Sequence, residues 1–407
     1  MFFARSPERG AIPAAGTVYV LTGLIALEYA LAAARAGVRV SPDTAIYSRW
    51  ADVLIGNGFN VTAFLNEQSF VVPPVFYLGW IMVVAAAKTV FGDAWMSGVV
   101  LLNCVALAAG AYLILQGVRR LTGSFASLAL AGGMFLVAAD LMIFAPFVLS
   151  DLIFWGLTTC VLILGVELAA DREGRVGRFD AIRTVATGSL ITALALAFRP
   201  TALPLIAFWI AVLALHVAGG VTGRRLQLML AMAAFLALAA IAAHAAVLMN
   251  PSLWPFGPLP GILEMLASEY RDGILVYAPG SSLVVAPASD VFSAMRLTIE
   301  KLAYFLTPWL PDYGALHTAL NLLFFVPAYA LSAAALVNLR RLTPWQQTAA
   351  TLLLFFAMAL TVFHAMMQID YDHRYRLPML PALIMLAAIG LESVRRPRTL
   401  ASSGRTK

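Results

Sequence analysis

The sequence predicts an all-α fold, a polytopic membrane helix bundle of about ten spans. Three observations lead to this prediction. Hydrophobic residues make up 61% of the 407 residues and charged residues only 12%, about half the charged share of a soluble domain. Apolar segments long enough to cross a bilayer recur along the chain. With ten spans, 17 of the 27 Lys and Arg residues lie on one side, in short connections and at the two termini, as on the cytoplasmic side of membrane proteins.

This composition excludes a cytosolic enzyme, a disordered chain and a secreted disulfide scaffold. The excess of basic over acidic residues indicates loops that face anionic lipid, and no nucleic-acid partner is expected. Cys104 and Cys160 lie inside apolar runs without a CxxC motif, so we expect small core residues rather than a disulfide or metal site. The first apolar run, 17–34, is long for a signal peptide and is interpreted as an uncleaved span.

The number of spans follows from the charges between the apolar segments. Eleven segments have spanning length: 15–34, 70–91, 97–116, 125–146, 149–170, 184–198, 201–221, 226–249, 316–337, 346–367 and 377–393. If all eleven crossed, most basic residues would lie outside, against the positive-inside rule. Segment 70–91 contains Pro73-Pro74 and Lys88 and follows a polar stretch, so we expect an interfacial or re-entrant helix there.

Ten spans place both termini in the cytoplasm and two long loops outside. The first outer loop covers 35–96 and the second 250–315, while residues 394–407 form a basic cytoplasmic tail. Cytoplasmic connections are short, and we find no repeat or linker, so residues 1–407 are predicted to form a single transmembrane domain in the inner (plasma) membrane. Any chemistry is therefore expected on the outer face.

The first outer loop carries a candidate catalytic acid in RVSPDTAIYSRWADVLIGNGF. Asp43, Tyr47 and Trp50 recur at helical spacing, so they share one face of a short helix opened by Ser41-Pro42. An acid after Ser-Pro is also an ordinary feature of a helix start, where it complements the helix dipole. Both interpretations of Asp43 stay open from local sequence.

Ionisable residues also stand at the outer ends of several predicted spans, where they are costly unless paired, hydrated or functional. Asp140 and Asp151 bracket the junction ADLMIFAPFVLSDLIFW. Asp151 either caps the next helix or lines the mouth of a cavity, where it could position an acceptor or a cation. Arg199, followed by Pro200, either snorkels to the membrane surface or binds phosphate.

The last outer junction, MMQIDYDHRYRLPMLP, is the most polar short connection in the chain. Two arginines on the non-cytoplasmic side oppose the charge rule, which points to an anion site. Its polar residues are Asp370, Asp372, His373, Arg374, Tyr375 and Arg376. Walker, GxGxxG and GxSxG motifs are not found at suitable positions, and the histidines are scattered, so ATP-driven transport, serine hydrolysis and a metal site lose support.

Four short motifs in order resemble the GT-C superfamily of membrane glycosyltransferases, which includes protein O-mannosyltransferases and the lipid A aminoarabinose transferase. They are PDTAIYSRWADVLIGNGF, VVPPVFYLGW, LSDLIFWGL, and RPTALPL with the later HRYRLPMLPALIMLAAIGLE. The resemblance implies a GT-C-like fold and a polyprenyl-phosphate-sugar donor. The sequence lacks the paired first-loop acids of some branches, because Thr44 follows Asp43, and we expect no soluble C-terminal domain of the oligosaccharyltransferase type.

By this resemblance the chain is expected to be an enzyme that transfers a sugar, with inversion, to an acceptor hydroxyl on the non-cytoplasmic face. Asp43 would be the catalytic base. The expected substrate-binding residues are Tyr47, Asp151, Arg199, Arg374, Tyr375 and Arg376. The partners would be membrane lipid, the lipid-linked sugar phosphate and a glycan, lipid or protein acceptor. No cofactor is firmly implied, and a divalent cation stays open.

Two other functions fit the same composition. A transporter or flippase for a lipid-linked glycan would use the span-end charges as a pathway, but it predicts inverted repeats and polar residues at the membrane midplane. We find no such repeat, and the polar residues cluster at the outer ends of the spans. A protein of the O-antigen polymerase or ligase type would keep the glycan chemistry and change the acceptor.

Overall fold

The computed structural model describes residues 15–67, 77–170, 178–217, 238–255, 261–272, 274–278, 281–284, 287–309, 313–367 and 373–396. The helices of these residues are α1 Ala15–Ala36, α2 Pro42–Gly56, α3 Val61–Leu65, α4 Leu78–Phe91, α5 Trp95–Thr122, α6 Phe125–Leu136, α7 Ala139–Phe144, α8 Asp151–Ala170, α9 Arg178–Phe198, α10 Leu203–Val217, α11 Leu238–Met249, α12 Gly261–Asp272, α13 Val291–Leu306, α14 Ala315–Val337, α15 Pro344–Met367 and α16 Leu380–Arg395. One antiparallel hairpin, of β1 Ile274–Ala278 and β2 Ser281–Val284, is added to the helices in the second outer loop.

The helices confirm a membrane bundle. Within the described ranges, seven helical stretches are long and apolar enough to span a bilayer: Ala15–Ala36, Leu78–Thr122, Asp151–Ala169, Phe179–Phe198, Ala315–Val337, Pro344–Met366 and Arg374–Arg395. Three shorter apolar helices are Phe125–Leu136, Pro200–His216 and Leu238–Met249. Each of the ten predicted spans corresponds to one of these stretches. The placement of both termini in the cytoplasm stays a prediction.

The predicted interfacial segment 70–91 is a helix from Leu78 onward, and Pro73-Pro74 lie outside the described residues. The 14 residues of α4 extend about 21 Å at the rise of an α-helix, which is shorter than the ~30 Å hydrocarbon core. Gly92, with a φ of 53°, separates α4 from α5. Helix α4 packs against α2, α5 and α9, and its interfacial position stays a prediction.

Local sequence explains where α5 ends and where α6 begins. Gly123 adopts a φ of 63° and ends α5, since its backbone N–H returns to the Arg119 carbonyl. Ser124 follows at once and accepts from the Ser127 backbone N–H, so it begins α6. A two-residue connection therefore reverses the chain between two apolar helices. Arg119 is one of the basic residues that set the predicted topology.

Helix α16 lies at the centre of the bundle, where α5, α6, α14 and α15 surround it. Nearly every side chain from Leu380 to Gly390 is buried. Its closest neighbour is α14, which approaches at Gly390. A Cβ at Gly390 would overlap the carbonyl group of Leu331, so only glycine allows the two backbones to pack this closely.

We expect Gly390→Ala to lower the thermal unfolding temperature of the protein in detergent. The obstacle is backbone rather than a movable side chain, so overpacking is expected to cost about 1–3 kcal/mol. The matched control is Gly133→Ala in α6, where nothing lies within 4 Å of the added Cβ. That control is expected to be neutral or slightly stabilising because alanine favours helix. Equal unfolding temperatures for the two variants would contradict the packing argument.

Candidate active site

The capped start of α2 fixes the position of Asp43. Ser41 caps the helix, because its hydroxyl accepts from the Thr44 backbone N–H at 3.3 Å and the Thr44 hydroxyl accepts from the Ser41 N–H at 3.0 Å. The Thr44 hydroxyl also donates to the Val148 carbonyl at 3.1 Å. The first turn of α2 is therefore fixed to the junction between α7 and α8. Asp43 lies on this turn, as the helix-start interpretation expects.

The Asp43 carboxylate contacts the last outer junction, 331 residues along the chain. Arg374 donates from Nη1 to Asp43 Oδ2 at 2.7 Å, and its Nη2 donates to the Tyr375 hydroxyl at 3.1 Å. The side chain of Asp43 is 33% exposed, whereas that of Arg374 is 11% exposed. The Asp43 carboxylate thus lies in the first turn of α2, where it complements the helix dipole, and it also pairs with Arg374. Part of the side chain stays open to solvent.

A second ion pair joins Asp151, at the first turn of α8, to Arg199, at the junction after α9. Both side chains are buried. Burial is the largest single effect on the pKa of Arg199 and lowers it, but the Asp151 carboxylate together with Tyr47 and Tyr375 raises the pKa overall, so the guanidinium stays charged. Asp151 Oδ2 and Arg199 Nε have no hydrogen-bond partner among the described residues. Both of these atoms are shielded from solvent.

Tyr375 connects the two ion pairs. Its ring centroid lies 5.0 Å from the guanidinium carbon of Arg374 and 5.5 Å from that of Arg199. Such distances are typical of cation–π contacts. The Tyr375 ring therefore contacts both guanidinium groups, that of Arg374 and that of Arg199.

Tyr47 packs beside three other aromatic side chains. Its ring centroid is 5.5 Å from that of Tyr77, 6.0 Å from that of Trp50 and 6.4 Å from that of Trp80. Burial raises the pKa of the Tyr47 phenol well above its usual range, so the group is neutral. Charges of Arg199, Asp43 and Asp151 all act on it, which places Tyr47 beside both pairs.

The structure thus brings six of the seven residues named from sequence into one cluster: Asp43, Tyr47, Asp151, Arg199, Arg374 and Tyr375. Their roles in binding and catalysis stay predictions. Asp370 and Asp372 lie outside the described residues. Among the residues that the structure describes, no group of three or more His, Cys, Asp and Glu could hold a metal ion.

Arg376 lies in a neighbouring, buried cluster. Its Nε donates to Asp140 Oδ2 at 3.0 Å, and its two terminal nitrogens donate to the Thr307 carbonyl and, at 3.1 Å, to the Tyr313 hydroxyl. Asp140 was noticed in the sequence as a span-end acid, but its arginine partner was not identified. Tyr313 and Thr307 were missed because nothing in the second outer loop marks them.

The chain is similar to ArnT from Cupriavidus metallidurans. The apo structure of ArnT matches with 16% identity and a TM-score of 0.49, and the match covers 94% of this chain and 60% of ArnT. The structure of ArnT bound to undecaprenyl phosphate matches with 15% identity and a TM-score of 0.48, over 94% of this chain and 61% of ArnT.

This chain therefore spans about three fifths of the length of the ArnT structures that it matches. No protein-family model and no curated protein matches the sequence.

Proposed function

We propose that this protein is a membrane glycosyltransferase that moves a sugar from a polyprenyl-phosphate-linked donor to an acceptor hydroxyl on the non-cytoplasmic face. The contact between Asp43 and Arg374 carries the proposal. It puts a partly exposed carboxylate beside a cation at the end of a bundle of apolar helices. A carboxylate can take a proton from a hydroxyl, and a guanidinium can bind the phosphate that leaves.

The proposed reaction is a direct displacement. The acceptor oxygen attacks the anomeric carbon of the sugar and loses its proton to Asp43, while the bond from that carbon to the phosphate oxygen breaks. The electron pair of this bond goes to the polyprenyl phosphate. One displacement inverts the anomeric configuration, and it needs one carboxylate as base with cations near the leaving oxygen.

Exposure favours Asp43 over the other two acids as the base. Its side chain is 33% exposed, compared with 3% for Asp151 and 2% for Asp140. An acceptor can approach Asp43 without opening the bundle. Asp151 is instead suited to hold Arg199, because both side chains of that pair are buried.

Arg374 is the proposed phosphate ligand, with Arg199 as a second, buried positive charge behind Tyr375. The phosphate would compete with Asp43 for Arg374, so donor binding would free the carboxylate for the acceptor. Tyr47 and Tyr375 would form the neutral wall between the charges. Arg376 is proposed to position the site rather than touch the donor, because all three of its guanidinium nitrogens donate to protein oxygens.

The test is a transfer assay with the purified protein in lipid nanodiscs. A panel of radiolabelled polyprenyl-phosphate hexoses and pentoses is incubated with membrane extract as a source of glycan, lipid and protein acceptors. We expect label to leave at least one donor and to appear in an acceptor, with release of polyprenyl phosphate.

Two controls sharpen this assay. Omission of the extract should stop transfer while the donor stays intact. Movement of an intact donor across the membrane of proteoliposomes, without cleavage of the sugar–phosphate bond, would contradict the proposal and support the transporter alternative.

A further inference from the structure

We propose that Asp140 and Arg376 are positioning residues, which hold the turn His373–Met379 so that Arg374 faces Asp43. The inference rests on the proposed function for the role of Arg374, and its structural part can be tested separately. It assigns different tasks to two arginines that stand two positions apart in the sequence.

The geometry of the turn explains why one arginine controls the other. Residues 373–379 form a 3-10 helix, with about three residues per turn, so residues 374 and 376 project about 120° apart. Arg374 points to Asp43, and Arg376 points to Asp140. Rotation of this short helix would move both side chains together. A fixed Arg376 therefore fixes the direction of Arg374.

Asp140 is itself held by α14. Its Oδ2 accepts from Arg376, and its Oδ1 accepts from Asn321 Nδ2 at 3.3 Å and lies 3.1 Å from His317 Nε2. The guanidinium carbon of Arg376 lies 4.5 Å from the ring centroid of Phe325, also on α14. A long transmembrane helix is a rigid support, so the turn is fixed to the bundle rather than to a loop.

The same guanidinium ties the end of the second outer loop to the site. Arg376 donates to the Thr307 carbonyl and to the Tyr313 hydroxyl, which flank the connection between α13 and α14. The Tyr313 ring stacks on His317 with a centroid distance of 3.8 Å. The side chains of Arg376 and Asp140 are 3% and 2% exposed, so this connection is made inside the protein. The ion pair of Asp140 and Arg376 thus holds both the end of the second outer loop and the turn that carries Arg374.

The first experiment measures this coupling without any assay of transfer. Hydrogen exchange is compared between wild type, Asp140→Asn and Arg376→Lys in nanodiscs. Asparagine keeps the shape of Asp140 but not its charge, and lysine keeps the charge of Arg376 but cannot reach three partners. We expect faster exchange in peptides that contain Thr307, Tyr313 or Arg374, in both variants, with α5 and α16 unchanged. Unchanged exchange in these peptides would overturn the proposal.

The second experiment measures the consequence for the donor. We expect Asp140→Asn to weaken binding of a polyprenyl phosphate probe, and to raise the donor KM, about tenfold, with a smaller change in the acceptor KM and kcat. Asp52→Asn is the matched control, since it breaks the exposed pair with Lys88 on the same outer face. A fall in unfolding temperature and kcat with an unchanged donor KM would show a merely structural role and overturn the proposal.

The outcomes separate the two proposals. Faster exchange in the named peptides, in a protein whose wild type binds no polyprenyl phosphate and transfers no sugar, would overturn the proposed function and support the coupling. Normal exchange and normal donor KM in the Asp140 and Arg376 variants of an active transferase would overturn the coupling alone.

Discussion

Asp43→Asn is expected to reduce transfer by about 10²–10⁴-fold, the usual contribution of a general base. Asparagine has the shape of aspartate, and its carbonyl oxygen can still accept from Arg374, but it cannot take the proton of the acceptor hydroxyl. The expected loss is therefore in kcat. Binding of a polyprenyl phosphate probe is expected to stay within a few-fold of wild type, because Arg374 is retained.

The matched control for this variant is Asp52→Asn. Asp52 lies on the same helix, carries the same charge and is paired with Lys88 at 2.6 Å, yet its neighbours are not those of Asp43. The control should keep near-wild-type turnover. Turnover is measured as initial rates at saturating donor and acceptor. Near-normal turnover of Asp43→Asn would show that Asp43 is not the base.

Much of the fold could be predicted from sequence because a bilayer leaves few alternatives. An apolar run of spanning length has to satisfy its backbone internally, so it becomes a helix. The start of α2 was also predictable, since Ser41 and Pro42 form a local capping signature that needs no distant partner. The β1–β2 hairpin was not predicted, because its strands are short and composition pointed to helices throughout.

The candidate site could be predicted in part. Charges at outer span ends identify residues that share one side of the membrane, so Asp43, Asp151 and Arg199 were found. The pairing of Asp43 with Arg374 depends on which helices are neighbours in the bundle, and charge sorting contains no information on that. Arg374 and Arg376 look equivalent in sequence, and only the 3-10 geometry of the turn sends them to different carboxylates.

Arg374→Ala is expected to raise the KM for the lipid-linked donor by roughly tenfold to a hundredfold, with a much smaller effect on the acceptor KM. A hydrogen bond to a charged group contributes about 1.5–3 kcal/mol, and each 1.4 kcal/mol is a factor of ten in affinity. Direct binding of a polyprenyl phosphate probe should weaken by a similar factor. Arg374→Lys should recover part of this affinity, since it restores the charge without the planar fork.

Because Arg374 also contacts Asp43, its removal has two effects that must be separated. Loss of the contact acts on the base and changes kcat, whereas loss of the phosphate ligand changes donor binding even when no acceptor is present. The binding measurement isolates the second effect, and Asp43→Asn supplies the opposite pattern, with kcat reduced and binding retained. Arg296→Gln, at an exposed pair with Glu300, controls for the loss of any outer-face arginine. Equal changes in donor and acceptor KM, with unchanged binding of the polyprenyl phosphate probe, would show that Arg374 is only a structural partner of Asp43.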